Sequence, residues 1–189
     1  MKKIFCFIMS ILMIISFAAC GKDKEKEPTA TVDIEYYAKL GVIPECNYKL
    51  GESVDTIQNA LSSEEQSAVS AGEEYVYNVT EGEKSVRIDN GSFSYFYEKD
   101  KKDGGISYIA AFDKAYGFET GTSILDVKDA LTGFDYTEEA ADDSNAFFLM
   151  GMENGTIKKY TFGSTVIMFV FQDNELFAAA IYNTDNWTI

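Results

Sequence analysis

Histidine is absent from the 189 residues, and that absence removes more chemistry than any motif adds. Without an imidazole there is no Ser-His-Asp or Cys-His nucleophile and no His-ligated metal site. Three cysteines remain: Cys6, Cys20 and Cys46. Cys46 has no histidine to activate it and reads as a small buried hydrophobe. Carboxylates are plentiful, with 31 Asp+Glu against 16 Lys+Arg and a net charge of −15. Glu138-Glu139 and Asp142-Asp143 crowd into one short run. Calcium wants such oxygens in a rigid loop with a turn glycine. No glycine lies inside this run, which reads as a solvated helix face or loop. Glycoside hydrolysis needs two carboxylates held at a fixed separation across a cleft. Nothing in the sequence selects such a pair, so a carboxylate-dependent hydrolase is the weakest functional reading. Gly104-Gly105 lacks the Lys-Ser/Thr of a phosphate-cradling loop. The acidity argues against a nucleic-acid partner, which needs a basic face. No catalytic residue, cofactor or metal is assigned, and the chain reads as a non-enzyme.

The remaining chemistry is at the N-terminus. Lys2 and Lys3 precede a mostly apolar run from Ile4 to Ala19. A spanning helix needs about 20 residues, so residues 1–19 read as a signal peptide. The run ends Phe17-Ala18-Ala19-Cys20-Gly21. Small residues before a cysteine resemble the lipobox of bacterial lipoproteins, with Phe17 standing where leucine is usual. The resemblance implies cleavage before Cys20 and a diacylglycerol on its sulfur. An uncleaved anchor helix and ordinary secretion with a free Cys20 are the alternatives. Two acyl chains give stable anchoring where one gives only marginal binding. Residues 20–33 follow as a charged, apolar-poor linker with Pro28, expected to be disordered and to lift the domain off the membrane. Cleavage would leave Cys46 without an intramolecular disulfide partner.

Beyond the linker the sequence repeats itself. Gly51 to Leu61 (GESVDTIQNAL) matches Gly121 to Leu131 (GTSILDVKDAL) at an offset of 70. Gly91-Ser92 matches Gly163-Ser164, and Ile106 to Phe112 matches Leu176 to Tyr182. Ser53 and Ser123 are N-cap residues by type and place. The apolar residues at 54, 57, 61 and at 124, 127, 131 fall on one helical face. The polar stretches Ser62–Glu74 and Thr132–Asn145 could each hold a second short helix. Four β-runs follow in each copy, near 75–79, 84–89, 92–98 and 106–112, then 147–151, 156–161, 164–172 and 175–183. Asn90-Gly91 and Asp173-Asn174 are hairpin turn signals. The expected fold class is α+β: two tandem helix(-loop-helix) plus four-stranded antiparallel meander units, with helices on one face of a joint sheet. Residues 34–47 form an N-terminal segment packing on the domain, 48–116 the first unit and 117–189 the second.

This plan resembles the β-lactamase inhibitor protein family, in which two such units pack helices on one sheet face. The Gly-x-Ser-β-branched helix start also resembles the small lipoprotein of the outer-membrane barrel-assembly machinery. Both resemblances imply a binding module with no catalytic residues. They imply no particular partner.

With Asn90-Gly91 as the turn, Ile88 faces Phe93 and Val86 faces Tyr95. That pairing assigns Tyr97, Ile106, Tyr108, Ala110 and Phe112 to the helix side. Phe96 and Ile109 then lie opposite. In the second copy Ile167, Phe169, Phe171, Ala178, Ala180 and Tyr182 would meet the helices. Val166, Met168, Val170, Phe177, Ala179 and Ile181 would lie opposite, and both faces would be apolar. So large an apolar face needs a cover. Residues 34–46 or Trp187 could supply it, or a partner could. A slipped register that removes Lys158 from the helix side is a third reading. The candidate binding face is Phe96, Val166, Met168, Val170, Phe177 and Ile181. The functional expectation is a membrane-anchored extracytoplasmic lipoprotein that binds an envelope protein or peptide. An envelope assembly or maintenance lipoprotein is the alternative.

Overall fold

The computed structural model of the protein describes residues 32–142, 145, 148, 149 and 155–187. The signal-like leader, Cys20 and residues 21–31 of the expected linker lie outside the described residues. So do Asp143 and most of the β-run expected at 147–151.

Eight strands form one antiparallel sheet. Asn78–Glu81 (β1), Ser85–Asp89 (β2), Phe93–Glu98 (β3) and Tyr108–Ala111 (β4) make one half. Thr137–Ala141 (β7), Gly155–Phe162 (β8), Thr165–Gln172 (β9) and Glu175–Asn183 (β10) make the other. Their order is β1-β2-β3-β4-β10-β9-β8-β7. Lys114–Ala115 (β5) and Phe118–Glu119 (β6) form a separate small hairpin. The helices among the described residues are Ile34–Leu40 (α1), Val54–Ala71 (α2) and Ile124–Ala130 (α3), with a 3-10 turn at Lys99–Gly104.

This corrects the expected plan of two helix-plus-four-strand units with helices on one face. Among the described residues a single large sheet dominates, with 38% in strands against 26% in helices. β4 pairs along β10, from Tyr108↔Tyr182 to Ala111↔Ala179, and fuses the halves. Neither expected second helix forms. Residues 62–71 simply continue α2, and the polar stretch after α3 supplies β7. α2 is buried only through Val54, Ile57 and Leu61, so its last ten residues stand clear of the core.

Local matches between the copies are nevertheless visible as hydrogen bonds. Gly51 N donates to Ile106 O at 2.7 Å, and Ile106 N donates to Glu52 O at 2.9 Å. Seventy residues on, Gly121 N donates to Leu176 O and Leu176 N to Thr122 O, both at 2.8 Å. Ser53 and Ser123 both stand at N-cap positions, and Ser123 Oγ accepts from Leu125 N at 3.2 Å.

The turns explain the register. Asp173 and Asn174 both have positive φ, as a two-residue type I′ hairpin requires. In the first half the tight turn is Gly91-Ser92, one residue later than expected, because Asn90 N bonds Phe93 O at 3.0 Å. Ile88 therefore faces Tyr95 and Val86 faces Tyr97. The slide is an even number of pairing steps, so each side chain keeps its face.

The faces of β4 and β10 do not follow the expectation. Phe96 faces Tyr108, which puts Tyr108, Ala110 and Phe112 with Phe96, away from the helices. In β10 a bulge lies between Leu176 and Ala178. One extra residue inverts everything after it. Ala179 and Ile181 point to the helix side, and Ala178, Ala180 and Tyr182 to the other.

The helix side, here the front, holds the larger core. Ile34 and Ala38 of α1, Val54, Ile57 and Leu61 of α2, and Val127 and Ala130 of α3 meet Ile88, Tyr95, Tyr160, Ile167, Phe169 and Ile181. α1 begins where Asp33 Oδ1 accepts from Tyr36 N at 3.0 Å and ends on Gly41 in the left-handed region. No helix among the described residues is long and apolar enough to cross a membrane.

Buried tyrosines give the fold an alkaline signature. Burial pushes Tyr95, Tyr108 and Tyr116 well above the ordinary tyrosine range, and Tyr160 up to about 12. The unfolded chain ionises first, near an ordinary value of about 10. The stabilisation is therefore complete below that pH and is lost as pH climbs toward the folded values. The urea midpoint is expected to begin falling above about pH 10. A Tyr160→Phe variant should fall less steeply over the same range.

Candidate functional site

The back of the sheet is where the candidate binding residues were expected. Its floor is Phe96 on β3, Tyr108 and Ala110 on β4, Ala178 and Ala180 on β10, Met168 and Val170 on β9, and Ile157 on β8. The central strands carry alanines here, so the floor dips in the middle. Phe148, Leu149 and Trp187 pack into this second core. Trp187 sits with its ring centroid 6.0 Å from Phe96 and 5.3 Å from Tyr108. Phe148 lies 5.6 Å from Tyr108, and Tyr182 stacks on Tyr108 at 5.2 Å. Trp187 is brought back over the sheet by the turn after β10, where its N–H donates to Asn183 O at 2.8 Å.

The expected face is thus filled by the chain itself. Phe96, Met168 and Val170 are buried in the second core, and Val166 is buried on the same side. Ile181 is not on this face at all; the β10 bulge turns it into the front core. Phe177, at the bulge, is the one candidate with substantial exposure, at 41%. Residues 34–46 are not the cover, because Ile34, Ala38 and Ile43 belong to the front core. Removing the ring with Trp187→Ala is expected to lower stability by about 3 kcal/mol, the lower end for a tryptophan because part of its surface stays exposed. Thermal melts of the two proteins check this.

Polar groups rim the filled region. Arg87 Nε donates to Asp89 Oδ1 at 2.7 Å, and buried Ser94 donates to the same oxygen. The Arg87 guanidinium lies 5.7 Å from the centre of the Phe96 ring. At the far edge, Glu138 and Glu139 belong to β7, not to a helix or loop. They pair with Lys158 at 2.9 Å and with Lys159. Lys158 is only 3% exposed and sits on the front, opposite Phe169, so the register is not slipped. Its ammonium lies 4.0 Å from the Tyr136 ring centre. Burial pulls its pKa down, but Glu138 and Tyr136 outweigh that and hold it above the ordinary lysine value.

Other candidate groups are structural. Tyr48 N donates to Cys46 Sγ at 3.4 Å, and the Tyr95 hydroxyl lies 3.5 Å away. Burial pushes the Cys46 thiol up, the opposite of what a nucleophile needs. Lys101 pairs with Glu98 and Lys102 with Asp55 around the 3-10 turn. Among the described residues, no three His, Cys, Asp or Glu side chains converge as a metal site.

What the sequence reading missed is the region around β1. After Leu61 the buried stripe of α2 stops, yet the helix runs ten residues further. The chain then doubles back, and Tyr75 OH donates to Glu64 Oε2 at 2.5 Å. Burial, and then Glu64, raise the Tyr75 pKa. An open cleft of about 520 Å³ lies between Ser63, Glu64, Ser67 and Ala68 on one side and Glu73 and Tyr75 on the other. All four residues of β1 are exposed. Val69, Val76 and Val79 present 68%, 48% and 43% of their surface to solvent. A signal was available: Ser62 to Glu83 contains six glutamates and no lysine or arginine.

No family model, no curated protein and no solved structure matches this chain. The site therefore stands on its own geometry: a self-filled back face, one edge neutralised by lysines, and one edge left acidic and partly apolar.

Proposed function

We propose that the chain is a membrane-tethered extracytoplasmic lipoprotein that acts as a non-catalytic protein- or peptide-binding module. The lipobox-like Ala18-Ala19-Cys20 supports the tether, and the charged stretch before α1 gives the domain reach from a lipid surface. The observation that carries the binding role is the exposure of Val69, Val76 and Val79 at the β1 end. This domain tucks Trp187, Phe148 and Leu149 against its other apolar face. Valines left in water beside an open strand edge are then best read as a contact surface.

Two measurements test the reading. Processing that is blocked by globomycin, with the product in the membrane fraction, is expected for the lipid anchor. A processed chain free in the medium overturns that part. Photo-crosslinking in intact cells from Val76 and Val79 is expected to give discrete adducts that are absent from Leu125, an exposed control on α3. Identical patterns from all three positions remove the binding role.

A further inference from the structure

The two edges of the sheet are treated differently, and the difference points to an occupant. At β7 the carboxylates of Glu138 and Glu139 are neutralised by Lys158 and Lys159 on the neighbouring strand. Asn145 closes the outer side, its Nδ2 donating to Ala140 O at 2.8 Å and Glu139 Oε1 at 3.1 Å. Charge and side-chain capping of this kind blunt an edge against further pairing.

β1 has no such cover among the described residues. It pairs only with β2, from Asn78↔Asp89 to Glu81↔Val86. Gly82 N donates to Ser85 O at 2.9 Å. Hydrogen-bonded pairs alternate along an antiparallel ladder. Thr80 and Asn78 therefore bond toward β2, while Val79 and Glu81 present their N–H and C=O outward. Residues 74–77, leading into β1, make no backbone hydrogen bond to another part of the described chain. The open edge thus extends from about Glu74 to Glu81.

Its side chains set the chemistry of whatever pairs there. Glu73, Glu74, Glu81 and Glu83 lie along it or beside it in the chain, Glu64 reaches it through Tyr75, and within Ser62–Glu83 there is no cation. Lys99, at 3.2 Å from Glu81, is the one ion-pair partner that reaches them among the described residues. Val76 and Val79 supply exposed apolar side chains along the same run.

We propose that β1 is a docking edge that takes an extended, basic segment of a partner protein as a ninth strand. Main-chain hydrogen bonds to Val79 and Glu81 give the affinity, and lysine or arginine alternating with apolar residues gives the fit. A second copy of this chain is disfavoured as occupant, because it would bring the same carboxylates against themselves. The inference rests on the binding-module reading and names the partner's chemistry.

The test uses the full chain and three labelled peptides, read by fluorescence anisotropy. Lys-Val-Lys-Val-Lys-Val-Lys is the probe. One control replaces its lysines by glutamate. The other keeps the lysines but is N-methylated at every residue, so it retains charge and offers no amide donor on either edge. The probe is expected to bind at least about tenfold tighter than either control, and to weaken as salt is raised. Val79→Pro removes an outward donor without touching the β1–β2 ladder, a placement that edge strands tolerate. It should weaken the probe by about tenfold while the melting temperature holds. Glu74→Lys with Glu81→Lys should do the same.

Equal binding of the N-methylated peptide overturns strand pairing while leaving the binding role intact. Absence of probe binding, with adducts still formed from Val79, overturns the basic partner alone. Absence of both removes the binding role as well. A dimer that dissociates in Val79→Pro overturns the proposal in favour of a second copy.

Discussion

Replacing Gly105 with alanine is expected to lower the stability of the chain by about 3–5 kcal/mol, the sum of a backbone strain and a steric term. Gly105 has φ 73° and ψ −161°, a region essentially reserved for glycine. Its position is crowded as well. A methyl group there would meet the carbonyl oxygen of Glu52 and lie 2.6 Å from Gly51 O, both backbone atoms that cannot swing aside. Those residues form the joint in which Gly51 N bonds Ile106 O and Ile106 N bonds Glu52 O. The substitution therefore strains its own residue and levers apart the start of α2 and the approach to β4. Gly104, one position earlier, has nothing within 4 Å of such a methyl group and no positive φ. Gly104→Ala is the matched control, expected to stay within about 0.5 kcal/mol of the parent. Urea unfolding of the three proteins decides the matter, and equal midpoints for the two variants would sink the account.

Phe169→Ala is expected to cost about as much, roughly 3–5 kcal/mol. The ring is fully buried and sits at the meeting point of three others. Tyr116, Phe118 and Tyr160 approach it with centroids 5.7, 5.9 and 5.9 Å away, each edge-on. Tyr116 and Phe118 come from the β5–β6 region and Tyr160 from β8, so one side chain ties two parts of the front core together. Deleting it removes its own buried area and leaves a cavity that three rigid rings cannot collapse into. Phe177→Ala, the same change at the exposed bulge of β10, is expected to move stability by no more than about 0.5 kcal/mol. The pair separates burial from residue type, and denaturant midpoints report both.

Some of this fold was legible from residue types alone. Asp-Asn between two apolar runs specifies its hairpin, because both residues tolerate the positive φ that the turn needs. The long β-branched and aromatic run of β9 could be little else. The alternation of Val86, Ile88, Tyr95 and Tyr97 survived even a displaced turn. Alternation failed where the chain added a residue. A bulge at Phe177, and the irregular step from Ile106 to Tyr108, reverse the faces of β10 and β4, and a bulge leaves no mark in a period-2 pattern.

β7 was missed because Thr137–Ala141 (TEEAA) has neither β-branched alternation nor aromatic residues. Its partner's lysines hold it, through ion pairs that only the fold brings together. The expected layer of helices gave way for a related reason. Polar stretches that could have been helices were used to lengthen α2 and to supply a strand.

The candidate site shows the same division. Phe96, Met168 and Val170 share an apolar surface, as expected, and the sequence correctly demands a cover for it. Which segment provides that cover is a tertiary fact: Trp187 was one of the options, residues 34–46 another, and their rings and aliphatics ended on opposite sides. The β1 edge was overlooked, although six glutamates with no lysine or arginine among them stand from Ser62 to Glu83. Only the strand order shows that they border an unpaired backbone.

The seam between β4 and β10 has a consequence for biogenesis. β4 has β3 on one side, but its other edge, along Tyr108–Ala111, finds its partner only in Ala179–Tyr182, some seventy residues further along the chain. Until then the nascent first half carries a raw, apolar hydrogen-bonding margin at Tyr108–Ala111, the kind of margin that invites misassembly. A chaperone that shields that stretch until β10 has been made would let the proper strand arrive before any wrong neighbour does.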